Sequence, residues 1–144
     1  SAFNLGTKTF EYLDTASREE YGTRNLPIIA GLGSAIDFIS EVGMEKISLR
    51  GQQLAEKFRD GISTHPRITI LTPEKENGSG SIITFKIQSK DNIQLSKALG
   101  HNYSIRLRAI FENDINGLRA SFAIFNSEEE VDLLIKVILE DANS

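Results

Sequence analysis

Two helix-period stripes stand back to back across residues 28–62, and each calls for a surface to cover. Ile28, Ile29, Leu32, Ala35, Ile36 and Ile39 fall at helical spacing on one face. Pro27 suits a first helical turn, Asn25 suits the cap before it, and Gly43 suits the residue just past the end. Residues 44–62 repeat the pattern, with Ile47, Leu54, Ala55, Phe58 and Ile62 on the apolar side and Arg50, Lys57 and Arg59 on the other. His65-Pro66 breaks this second helix.

The period then changes from helix to strand. Residues 68–71 and 81–87 read as short strands around a polar loop carrying Pro73, Gly78 and Gly80. Residues 91–99 read as a short helix stopped by Gly100. In a third strand, 104–111, Ile105, Leu107 and Ala109 alternate with Arg106, Arg108 and Ile110. Residues 112–117 make a turn, and 118–125 return as a fourth strand. Ser127 followed by Glu130 is a capping box opening a last helix with the face Val131, Leu134, Ile135, Ile138 and Leu139. The expected fold is a two-layer α+β domain: a mainly antiparallel sheet of about four strands with helices on one face. Residues 1–24 lack a sustained period and read as an extended lead-in with one short turn or helix. Its aromatics Phe3, Phe10, Tyr12 and Tyr21 exceed what a free tail needs.

Composition removes several classes of function. The chain of 144 residues has 16 basic and 20 acidic side chains, a net charge of −4, so no basic footprint for nucleic acid is present. No apolar run approaches the ~18–20 residues of a membrane span. The first residues show neither a basic nor an apolar leader segment, and a cytoplasmic location is expected. There is no Cys, hence no disulfide framework and no cysteine nucleophile. His65 and His101 stand apart, so a metal site is not expected.

Three places carry candidate chemistry. Gly22-Thr23-Arg24-Asn25 stands directly before a helix start, where unpaired N–H groups and the helix dipole favour an anion. The alternative is that Gly22 serves a turn and Asn25 only caps. Arg119 lies on a strand opposite Leu118 and Ala120, on the face of Ser121, and suits a two-point grip on a carboxylate. A rim salt bridge is the competing reading. Arg106 and Arg108 on the neighbouring strand would repel Arg119 unless an anion or acidic side chains sit among them. Lys8 lacks the glycine spacing of a phosphate loop and reads as solvated. His101 reads as a loop residue, and Glu112, Asp114 and Glu128 to Glu130 as turn and cap charge.

Taken in order, three stretches resemble the C-terminal part of the class V aminotransferases, pyridoxal-phosphate enzymes of fold type I that include cysteine desulfurases and isopenicillin N epimerase-like proteins. They are Tyr21-Gly22-Thr23-Arg24-Asn25 with the helix after it, Gly43 through Leu54 with its central Arg50, and Leu118-Arg119-Ala120-Ser121 with Phe125-Asn126-Ser127-Glu128-Glu129-Glu130-Val131-Asp132. The resemblance covers roughly residues 20–140. It implies that Gly22 and Thr23 contact the phosphate of pyridoxal 5′-phosphate (PLP), with Thr23 typically serving the neighbouring subunit of a homodimer. It implies that Arg119 binds the α-carboxylate of an amino-acid substrate.

The family's Schiff-base lysine, its aspartate on the pyridine nitrogen and its stacking aromatic have no matching positions here. The resemblance therefore implies that 1–24 lead in from an upstream large domain, that 25–144 form the small domain, and that this chain alone is not catalytically complete. Cysteine desulfurases carry a catalytic Cys between the last two strands, where this chain has Arg108-Ala109-Ile110-Phe111-Glu112-Asn113. On that ground the parent enzyme is expected to be of the epimerase, transaminase or lyase type and not a Cys-dependent desulfurase. Two other readings stay open: a stand-alone module binding a small anionic metabolite, and a structural or dimerisation domain.

Overall fold

The computed structural model describes residues 2–11, 14–16, 22, 25–74 and 80–144, and these divide into two compact units, Ser1–Glu41 and Val42–Ser144. In the first unit, β1 (Ala2–Asn4) and β2 (Thr9–Glu11) pair antiparallel with Phe3 opposite Phe10. Lys8, in the turn between them, has φ 56°. The lead-in thus contains a hairpin that residue periodicity did not reveal, because strands of three residues are too short to show a period. Helix α1 (Leu26–Val42) follows. Asn25 caps it as expected, its Oδ1 accepting from the Ile28 N–H at 3.2 Å. None of its residues is buried. Ile29, Leu32 and Ile36 of its apolar stripe are all more than half exposed.

The second unit holds α2 (Met44–Ser63), β3 (Ile68–Ile70), β4 (Ile82–Ile87), α3 (Asn92–Tyr103), β5 (Arg108–Ile110), β6 (Gly117–Ser121) and α4 (Glu128–Asn143). One turn of 3-10 helix, Glu112–Asp114, links β5 to β6. The sheet order is β3-β4-β6-β5 and every pairing is antiparallel. Leu54, Phe58 and Ile62 of α2, Leu95 and Leu99 of α3, and Val131, Leu134 and Ile138 of α4 form one core with Ile83, Phe85, Ile87, Leu118 and Ala120 of the sheet. All three helices therefore cover the same face. The two-layer α+β expectation holds.

Phe58 is the centre of this core, with edge-on contact to Phe85 at 5.4 Å and a tilted contact to Phe122 at 5.6 Å. Two glycines let α2 come close. A Cβ on Gly61 would stand 2.6 Å from Cδ1 of Ile135 on α4. A Cβ on Gly51 would stand 2.7 Å from the Cβ of Ser81, at the entry to β4.

Two local readings are corrected. Gly100 does not stop α3, which continues to Tyr103 and ends where Ser104 turns left-handed at φ 58°. His101 is accordingly helical rather than in a loop. The strand expected from 104 starts only at Arg108, so Arg106 lies ahead of β5 and does not share a strand face with Arg108.

Candidate functional site

Strand β6 alternates. Leu118 and Ala120 point into the core at 0% and 1% exposure, which sends Arg119 and Ser121 to the face turned away from α2, α3 and α4. Register then fixes the neighbours of Arg119. Thr84 of β4 lies directly opposite on one side, and Arg108 of β5 directly opposite on the other. A row Thr84–Arg119–Arg108 crosses this second face of the sheet. Lys86, the next outward cation, is two positions along β4 and exposed.

The two arginines are held differently. Arg108 donates from its guanidinium to Glu112 Oε1 at 2.6 Å. Glu112 Oε2 accepts the Phe111 N–H at 3.1 Å, so both carboxylate oxygens are engaged. Its own backbone N–H, then Arg108, then the Phe111 N–H hold this carboxyl below the usual range. Arg119 contrasts with it: its Nε is shielded from solvent and has no hydrogen-bond partner. A guanidinium with a buried, unused donor fits a planar anion that accepts two parallel hydrogen bonds.

The entry to β6, three residues before Arg119, is anchored by Asn92, which sequence reasoning missed. Asn92 is fully buried. Its amide accepts from Ile87 N–H at 3.2 Å and donates to the carbonyls of Lys90 at 3.2 Å and Asn116 at 3.0 Å. Asn116 immediately precedes β6. The only sequence signal was an Asx residue behind a helix cap, here Asp91, whose Oδ1 accepts from Ile93 and Gln94.

The other residues of the three stretches build the frame. Arg50 donates to Glu128 Oε1 at 3.1 Å and to the Asn126 carbonyl at 3.4 Å, joining α2 to the corner before α4. Asn126 Oδ1 accepts the Ala123 N–H at 2.9 Å, and its Nδ2 donates to Glu130 Oε2 at 3.1 Å. Ser127 Oγ accepts from Glu130 N–H and Glu130 accepts from Ser127 N–H, the expected capping box. Asn126 and then Ser127, as donors to Glu130, hold its carboxyl below the usual range. Lys57 is ion-paired to Asp132 at 2.9 Å and Glu128 at 3.5 Å.

At the proposed phosphate segment, Gly22 is left-handed at φ 48° with nothing within 4 Å of where a Cβ would stand. That backbone allows close approach of an anion. Thr23 and Arg24 lie outside the described residues, as do Tyr12 and Tyr21 and the side chains of Phe3 and Phe10. Helix α1 itself has little to spare in its first turn, since Pro27 has no N–H and that of Ile28 is used by Asn25. Arg106 lies before β5 against a cavity that Asn126 and Glu130 also line. His65 ties the β3 approach to α4 through Asn143 Oδ1 at 3.1 Å. Lys8 is exposed in its turn.

A family model described as aminotransferase class-V matches residues 4–134. Cysteine desulfurases of Salmonella agona and Salmonella typhimurium are 32% identical over 127 residues, covering 82% of this chain and 30% of theirs. This chain thus spans about a third of the length of these relatives. Among solved structures, the cysteine desulfurase of Thermococcus onnurineus NA1 superposes with a TM-score of 0.81 at 22% identity, over 99% of this chain and 37% of that one. A cystine C-S lyase superposes with a TM-score of 0.70 at 21% identity, over 94% of this chain and 35% of that one. These likenesses overturn the expectation of an epimerase, transaminase or lyase type that is not a Cys-dependent desulfurase, since the relatives it matches are named cysteine desulfurases. That expectation weighed one missing residue in one turn, and a similarity over 127 residues outweighs it.

Proposed function

The chain belongs to the class-V aminotransferase family, and from this we propose that it forms the small C-terminal domain of a PLP-dependent enzyme acting on an amino acid, with Arg119 as the ligand of the substrate α-carboxylate. The observation that carries the proposal is the buried, unpartnered Nε of Arg119 on the sheet face turned away from the three helices. A planar guanidinium that takes both carboxylate oxygens fixes the amino acid about its α-carbon, so the bond to be broken keeps one orientation. The strand that carries Arg119 is anchored at its entry by the Asn92–Asn116 hydrogen bonds, which fix the backbone from which the side chain reaches.

PLP, when bound, supplies the electron sink for chemistry at that α-carbon. Gly22 and Thr23 would contact its phosphate, in the arrangement where each small domain of a homodimer reaches the neighbouring subunit's cofactor. The upstream large domain would bring the remaining groups.

The test is Arg119→Lys in the full-length protein. A point charge cannot reproduce the fork, and loss of one charged substrate contact should lower catalytic efficiency by about 30- to 1,000-fold. PLP absorbance should persist. Near-wild-type efficiency, or loss of PLP together with unfolding, would return Arg119 to a structural role.

A further inference from the structure

We propose that the Arg108–Glu112 ion pair sets the charge class of the amino acid held at Arg119, admitting a substrate with one carboxylate and disfavouring one with two. This rests on the reading of Arg119 as the carboxylate ligand.

The argument begins with register. Arg108 and Arg119 are direct partners across β5 and β6, so both side chains leave the same face, with Cβ atoms roughly 5 Å apart. Two guanidinium groups so placed repel unless an anion joins them. The chain supplies one anion of its own. The 3-10 turn after β5, with Asn113 at φ 54° and Asp114 at φ 59°, reverses the chain within a few residues. Glu112 is then left one turn from Arg108, and its Oε1 takes the Arg108 guanidinium at 2.6 Å. Its second oxygen is fixed by the Phe111 N–H. The backbone therefore holds this carboxylate against Arg108, and both oxygens are committed.

Charge counting gives the consequence. Arg108, Glu112 and Arg119 sum to +1, and of these two arginines the one without an ion pair among the described residues is Arg119; Lys86 lies two positions along β4 from Thr84, outside the row. One substrate carboxylate neutralises the trio. A second carboxylate on the substrate side chain would find Arg108 already neutralised and would face Glu112 of like sign. Removing the Glu112 charge would free Arg108 for that second carboxylate.

The experiment uses the full-length protein with PLP bound and measures calorimetric affinity for two probes, L-alanine with one carboxylate and L-aspartate with two. Wild type should prefer L-alanine. Glu112→Gln should shift the ratio toward L-aspartate by about five- to tenfold, and Glu112→Ala should do the same. Glu112 is about half exposed, so neither change disturbs the core. Adding Arg108→Ala to Glu112→Gln should abolish the gain. An unchanged ratio in both Glu112 variants, or a gain that survives loss of Arg108, overturns the proposal. Arg119→Lys tests the underlying reading separately. If it weakens both probes while the ratio ignores Glu112, the carboxylate assignment stands and the selectivity assignment falls. If it weakens neither, the carboxylate assignment itself falls.

Discussion

Asn92 donates twice to Asn116: its backbone N–H to Oδ1 at 3.0 Å, and its side-chain Nδ2 to the backbone carbonyl at 3.0 Å. One buried amide thus joins the start of α3, the end of β4 and the entry to β6. Asn92→Ala would leave the Ile87 N–H and the Asn116 carbonyl without these partners in the interior. The expected loss is about 2–4 kcal/mol, several times that of a surface change. Urea denaturation followed by circular dichroism measures it, and a midpoint within error of wild type would show that the network contributes nothing net.

The cap of α4 is a second quantity to measure. Ser127→Ala removes the acceptor for the Glu130 N–H and should cost about 0.5–2 kcal/mol. Ser127→Asp, which keeps an acceptor at the cap, should recover most of the loss. Equal midpoints for Ser127→Ala and wild type would mean that the helix is held by its packing alone.

Acid should loosen both this corner and the turn between β5 and β6. The folded-state carboxyls of Glu130 and Glu112 lie below their ordinary value of 4.5. Each therefore adds stability that is complete above the unfolded-state pKa and is lost as pH falls through the lower folded-state value. Lys57 runs the other way: its pKa is raised above 10.5, first by the hydrogen bond to Asp132. Its contribution is complete below 10.5 and lost as pH rises through the folded value. Stability against pH should fall on both flanks. Glu130→Gln, which keeps an acceptor but no titrating proton, should flatten the acid flank. An acid flank identical to wild type would contradict the assignment.

Two glycine substitutions should move stability in opposite directions. Gly100 lies inside α3 with only ordinary contact around its missing Cβ, the nearest atom being the Ile105 carbonyl oxygen at 3.8 Å. Gly100→Ala should stabilise by about 0.5–1 kcal/mol. Gly51→Ala gains the same helix propensity but forces its Cβ to 2.7 Å from Ser81. Overpacking of that kind costs about 1–3 kcal/mol, so the net change should be a loss. Thermal melts of both variants beside wild type give the comparison.

What could be read in the sequence was whatever repeated. The stripe of Leu54, Phe58 and Ile62, the alternation through Ile83, Phe85 and Ile87, and the Ser127–Glu130 box each state one local rule several times over. Single residues at junctions did not repeat and escaped notice. Asn92 looked like any polar residue after a cap. Gly100 looked like a stop because propensity disfavours it in a helix by about 1 kcal/mol, yet Leu95 and Leu99 bury their side chains and carry α3 through it. Ser104 ended the helix although glycine is the usual left-handed residue there. Arg119 was legible by alternation, whereas its pairing with Arg108 and the capture of Arg108 by Glu112 depend on register and on a left-handed turn.

The sheet is bounded by β3 and β5, each three residues long. A longer edge would offer a row of free N–H and C=O groups to any extended chain nearby. Here β5 ends in the 3-10 turn, and beyond β3 the Leu71 N–H already bonds the Thr84 carbonyl at 2.7 Å. Each edge thus carries a ladder of three residues, so a chain that paired there would gain few backbone hydrogen bonds, and a stable partner would have to take most of its hold from side chains.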